Sequence, residues 1–142
     1  MKKLITVIYG LYLLAAAPVF PQENAMEHYN RGNMHMGDYD YELAIEEYTK
    51  AIRIAPHYYR AYFRRGNAYF ADQDFEKAMA DYSFAIGIKP DYTEAYFQRA
   101  IVHFHNGDFD KAIKDWELVL KIEPHRVSAS RNIELARRLQ EE

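Results

Sequence analysis

The 142-residue chain contains no cysteine, which excludes disulfides, thiolate metal sites, cysteine nucleophiles and a lipid-modified N-terminal cysteine. An excess of charge of one sign is lacking as well. Eighteen basic residues stand against 21 acidic ones, a net charge of −3 that is too mild to attract a polyanion. Loss of Lys2 and Lys3 with an N-terminal signal would leave 16 against 21, or −5. Arg60, Arg64 and Arg65 form the one basic cluster, with Tyr and Phe among them, a loose nucleic-acid signature that the acidic balance outweighs. No nucleophile motif, glycine-rich phosphate loop or convergent acid–base pair is present, so no enzyme is expected. Nor do the six histidines converge. His103 and His105 are two apart on a helix and point to different sides, His28 and His35 are two turns apart, and His57 and His125 sit beside loop prolines. Neither a metal nor a cofactor is expected.

Long apolar runs are confined to the N-terminus. MKKLITVIYGLYLLAAAPVFPQ opens with two lysines, runs uncharged from Leu4 to Gln22, and carries Ala15, Ala16 and Ala17 near its exit. That layout predicts a secretory signal over residues 1–22, with an uncleaved membrane anchor through residues 4–20 as the alternative. The stretch from Leu4 to Ala17 falls short of the ~20 residues a membrane span needs. Pro18 disfavours cleavage directly after Ala17. An exported protein, periplasmic or anchored and facing the extracytoplasmic side, is the expectation.

What the rest of the chain has is a period. Gly32, Gly66 and Ala100 fall 34 residues apart, as do Asp40, Asp74 and Asp108; Ala44, Ala78 and Ala112; Tyr48, Tyr82 and Trp116; and Pro56, Pro90 and Pro124. A fixed period of this length signals stacked helical units, none of which buries its own apolar face alone. First helices are predicted at 25–38, 59–72 and 93–106 and second helices at 41–54, 75–88 and 109–122. The aspartates read as N-caps of the second helices and the prolines as their stops. The small residues at 32, 66 and 100 predict a close approach to Ala44, Ala78 and Ala112. Arg31, Arg65 and Arg99 face Glu47, Asp81 and Asp115 at matching repeat positions, which predicts one ion pair in each unit. Val127–Gln140 reads as a closing helix with Ala129, Ile133, Ala136 and Leu139 as its apolar stripe.

At these residues the chain resembles the tetratricopeptide repeat (TPR) family, whose unit places an aromatic, a small residue, Ala, an aromatic and Pro where the middle unit has Tyr62, Gly66, Ala78, Tyr82 and Pro90. The resemblance implies an all-α, right-handed superhelical solenoid of three helix-turn-helix repeats plus a C-terminal capping helix. The units are residues 23–56, 57–90 and 91–124, with the cap at 125–142. It also implies a concave groove lined by the first helices. The positions carried over are Tyr29, Asn33 and Met36; Arg60, Phe63, Asn67 and Phe70; and Glu94, Phe97, Ile101 and Phe104. Their three- and four-residue spacing puts each set on one helical face independently of the family.

Aromatic and Met anchors with a few amides suit a peptide or helix of a protein partner. The rings alternatively pack on one another and only fill the inner face, whereas Asn33 and Asn67 read as ligand contacts. Some family members clamp a chaperone peptide's C-terminal carboxylate with Lys, Asn, Asn, Lys and Arg. Those places hold Tyr29, Asn33, Arg64, Glu94 and Gln98 in this chain, so that activity is not expected. The expectation is a non-catalytic protein-interaction module of the cell envelope; the alternative is a scaffold subunit using the convex face or terminal helix.

Overall fold

Punctuation by turn residues decides the architecture. The computed structural model describes residues 24–141, and the signal or anchor expected at residues 1–22 lies outside them. Among the described residues seven helices follow in order: α1 (Ala25–Gly37), α2 (Tyr41–Ile54), α3 (Tyr59–Ala71), α4 (Phe75–Ile88), α5 (Thr93–His105), α6 (Phe109–Ile122) and α7 (Val127–Glu141). Each packs mainly on its neighbours in sequence, with α1 also touching α3, which makes a one-dimensional stack of helix pairs. Asn24 opens it with a capping box: its Oδ1 accepts from the Glu27 amide at 3.0 Å while its own amide donates to Glu27 Oε2 at 3.3 Å.

Within each unit the first helix ends in the same way. Tyr39, Gln73 and Gly107 adopt φ of 63°, 64° and 79°, and the paired bonds Gln73 N–H to Phe70 O (3.1 Å) and Asp74 N–H to Tyr69 O (2.8 Å) recur at 39/36 and 40/35 and at 107/104 and 108/103. This is the left-handed helix stop for which glycine is best suited, and only the third unit has one there. The following aspartate starts the second helix, but its side chain caps in one unit alone. Asp74 accepts from the Lys77 amide at 3.2 Å, whereas the Asp40 and Asp108 side chains make no cap bond, correcting the expectation of three side-chain caps. Between units, Ala55–Pro56–His57–Tyr58 closes a turn through Tyr58 N–H to Ala55 O (3.0 Å), repeated at Tyr92 and Arg126.

The core is small residues against one large ring per unit. Ala44, Ala78 and Ala112 are fully buried, as are Tyr48 and Tyr82, and Trp116 nearly so. A Cβ on Gly32 would stand 2.5 Å from Tyr48 Cε1, and one on Gly66 2.8 Å from Tyr82 Cε1 and 3.3 Å from Ala78 O. The glycines therefore make room chiefly for the second-helix ring, not for the alanines as the sequence suggested.

The expected ion pair is present in every unit, but it is bidentate and short in only two of the three. Arg65 grips Asp81 with two bonds of 2.8 Å and reaches back to Thr49 Oγ1 at 3.0 Å in the preceding unit. Arg99 does the same with Asp115 (2.8 Å twice) and Ser83 Oγ (3.1 Å), so each guanidinium ties two units together. In the first unit Glu47 instead binds His28 Nδ1 at 2.7 Å and Lys50 Nζ at 2.6 Å, with Arg31 Nε at 3.6 Å.

α7 continues the 34-residue phase. Ala129 is buried as Ala95 and Ala61 are, so the cap is a first helix without its second. Ile133 and Ala136 are buried with it, but Leu139 is 38% exposed and lies outside the expected stripe. Arg137 to Glu117 (3.0 Å) and Gln140 to Asp110 (2.8 Å) fasten α7 to α6.

Candidate functional site: the face of the first helices

The inter-unit turn determines how much of the predicted aromatic column is open. Tyr58, Tyr92 and Arg126 share one repeat position at the turn exit, and each lies over the column residue of the preceding unit. Tyr58 packs on Tyr29 (ring centroids 5.1 Å), Tyr92 on Phe63 (5.1 Å), and the Arg126 guanidinium sits 4.4 Å from the Phe97 centroid. From beneath, the same residues meet Tyr48 (5.9 Å), Tyr82 (5.9 Å) and Trp116 (6.4 Å). Phe63, held on both sides, is only 8% exposed and forms floor, while Tyr29 and Phe97 are half-buried. Phe70 contacts Phe75 (5.4 Å) and Phe104 contacts Phe109 (5.3 Å), and with Met36 both remain half-buried. Burial pushes the Tyr92 phenol up to about 12, and raises those of Tyr48 and Tyr82 further still, so all three keep their protons at physiological pH.

Those protons orient the two amides. Tyr48 O–H donates to Asn33 Oδ1 at 2.8 Å and Tyr82 O–H to Asn67 Oδ1 at 2.9 Å. With each carbonyl engaged by a half-buried hydroxyl bond, what Asn33 and Asn67 present at the half-exposed face is the NH₂ donor. The sequence singled out both asparagines but not the tyrosines that set them. The signal was available, because in the third unit both positions change together, Asn to Ile101 and Tyr to Trp116.

Charge on the face is mixed. Arg60 and Arg64 are exposed on α3, Arg60 donating to Tyr59 O–H at 3.2 Å, and Glu94 is exposed on α5. Ile101 is half-buried. Among the described residues no group of three or more His, Asp or Glu side chains could hold a metal ion, and no helix is long and apolar enough to cross a membrane.

A family model described as a tetratricopeptide repeat matches residues 66–138, and a second, described as a TPR repeat, matches residues 40–73. No curated protein sequence matches the chain. Among solved structures it is similar to the first TPR of Spaghetti (RPAP3) bound to the HSP90 peptide SRMEEVD, at 28% identity over 89% of this chain and 100% of that one, with a TM-score of 0.81. It is also similar to the second TPR domain of human RPAP3 in complex with the HSP70 peptide SGPTIEEVD (29% identity, 80% and 94% covered, TM-score 0.75). A third is MamA (26% identity, 91% and 73% covered, TM-score 0.80).

Proposed function

The chain belongs to the tetratricopeptide repeat family, and on that footing we propose that it is a non-catalytic interaction module binding a peptide or helical segment of a partner protein along the first-helix groove. The observation that carries this reading is the pair of pre-set amides. Asn33 and Asn67 stand one repeat apart with their carbonyls held by Tyr48 and Tyr82, so both offer donors toward the main-chain carbonyls of an extended segment. The similar TPR structures bound to an HSP90 peptide and an HSP70 peptide support a peptide ligand. The N-terminal segment supports a place in the cell envelope, exported with residues 1–22 either removed or retained as an anchor. A scaffold role using other surfaces is favoured by one observation: the ring of Phe84 on α4 is 60% exposed, stacked on Tyr62.

Affinity capture from envelope extract with the wild type and with Asn33→Ala/Asn67→Ala separates these readings, once both proteins are shown to be equally helical and equally stable. Prey held by the first and lost by the second places binding in the groove; prey held equally by both moves it to the convex face or α7. An acidic C-terminal pentapeptide is expected not to bind at micromolar concentration. Glu94 repels it, and Tyr29, sandwiched by Tyr58 and Tyr48, offers no cation. Micromolar binding in a titration overturns that expectation. N-terminal sequencing of the mature protein and cell fractionation test export, which fails if residues 1–17 are retained in a protein that stays soluble after disruption.

A further inference from the structure

The residues at the ninth position of successive first helices, read into the cap, are Asn33, Asn67, Ile101 and Leu135. The line is amide in its first half and aliphatic in its second. At the aliphatic half lies a cleft of about 200 Å³ lined by Ile101, Phe104, Trp116, Asn132 and Leu135. Four of the five lining side chains are apolar or aromatic, and Leu135 is left 40% exposed. A cap helix is expected to be polar on its uncovered side, so an exposed leucine in the groove register departs from what solubility alone selects. Trp116 shows the same change of chemistry from within. Where Tyr48 and Tyr82 find an asparagine, its Nε1 is buried with no hydrogen-bond partner beside Ile101.

We propose that this cleft is an apolar anchor pocket at the C-terminal end of the groove, taking one bulky apolar side chain (Leu, Phe or Met) of the partner segment whose main chain Asn33 and Asn67 hold. The inference rests on the groove function proposed for the first helices and names the chemistry of its ligand. Size agrees, since a dry cavity of about 150 Å³ lined by aliphatic and aromatic groups is enough to hold a benzene. The flanks restrict the partner further. Arg131 and Arg138 are exposed at i−4 and i+3 of Leu135 on the same face of α7, so residues next to the anchor are uncharged or acidic and not basic.

Trp116 is the sole tryptophan, so its indole N–H gives one resonance that reports on this cleft alone. The test pans a random-peptide library against the full chain, then titrates the selected peptides while following that resonance and the affinity. Expected are selected peptides sharing one Leu, Phe or Met without a basic neighbour, a shifted indole signal, and binding weakened about tenfold or more by Leu135→Lys but not by Phe84→Lys, which also places a lysine at an exposed apolar site. Leu135 and Phe84 are both surface side chains, so neither variant removes core. If Asn33→Ala/Asn67→Ala weakens the peptides and Leu135→Lys does not, the groove stands and the anchor pocket is refuted. If neither matters, both readings fail. An indole signal that moves with protein concentration alone assigns the cleft to a second copy and overturns the proposal.

Discussion

Arg65→Leu tests what joins the units. The guanidinium gives two 2.8 Å bonds to Asp81 and one of 3.0 Å to Thr49, lies between the rings of Tyr62 (5.7 Å) and Tyr69 (5.8 Å), and is 17% exposed; the Asp81 side chain is 4% exposed. Removing the cation leaves a buried carboxylate without its partner, and such changes cost about 3–5 kcal/mol. Thr49 keeps its own bond to Ile45 O at 2.7 Å and adds little. The loss is large beside the ~5–15 kcal/mol that holds a domain of this kind folded. Urea unfolding followed by circular dichroism measures it, and Arg31→Leu is the internal control. Arg31 is 42% exposed and 3.6 Å from a Glu47 that keeps His28 and Lys50, so that change costs distinctly less. Replacing both partners, Arg65→Leu with Asp81→Leu, recovers most of the loss, because no charge is then stranded. The pH dependence has a defined sign. Burial raises the Asp81 pKa, and losing Arg65, which opposes that rise, lifts it further. A carboxylate whose folded pKa lies above its unfolded one favours folding when protonated. The Arg65→Leu deficit therefore shrinks as pH falls through the variant's Asp81 pKa, and Asp81→Asn removes that dependence. A double variant whose loss equals the sum of the singles, or a deficit flat with pH, refutes the reasoning.

Two further changes separate helix propensity from packing. Gly66→Ala gains about 1 kcal/mol of propensity but sets a Cβ 2.8 and 3.0 Å from the Tyr82 ring and 3.3 Å from the Ala78 carbonyl, and overpacking of about 1–3 kcal/mol outweighs the gain. Thermal unfolding should show Gly66→Ala destabilised, Gly32→Ala (2.5 Å) more so, and Gly87→Ala, with nothing within 4 Å, not at all. Gln73→Gly relieves a side chain held at φ 64° and should raise stability by about 0.5–1 kcal/mol, while Gly107→Ala at φ 79° should lower it by a similar amount. Equal and opposite effects on the melting temperature are the check, and a stabilising Gly107→Ala would show that this turn is not the constraint.

The helices were legible because each boundary is written three times. A proline at 56, 90 and 124 and a left-handed turn at 39, 73 and 107 repeat in phase, and the second helices begin and end where the period places them. Contacts that cross between units were harder to read. Tyr58 covering Tyr29, or Arg65 reaching Thr49, joins residues of different units, and the period places equivalent residues without saying which of them touch. The side-chain caps failed at Asp40 and Asp108 for a related reason: the backbone of the tight turn already fixes the helix start, so the carboxylate can serve elsewhere, and Asp108 takes Lys111 Nζ at 3.1 Å.

In a repeat protein the informative residues are those that break the period together. His28 stands where the later units have Tyr62 and Tyr96, and the ion pair of its unit is rearranged around it; the left-handed turn is a glycine only at 107. These changes keep each unit folded. The replacement of Asn and Tyr by Ile101 and Trp116 does something else: it removes a donor from the groove and leaves the indole N–H buried without a partner, a loss of about 1–3 kcal/mol for an unmet buried polar group. The first two units make the corresponding bond at 2.8 and 2.9 Å, so the third forgoes a hydrogen bond that the repeat geometry allows. If the cleft is the proposed anchor pocket, a gain in partner binding offsets the loss, with Leu135 extending the same register. Converting the third unit by Ile101→Asn with Trp116→Tyr should therefore stabilise the fold in urea unfolding while abolishing the preference for a Leu, Phe or Met anchor in peptide titrations; a variant that is less stable, or that keeps the preference, breaks this link.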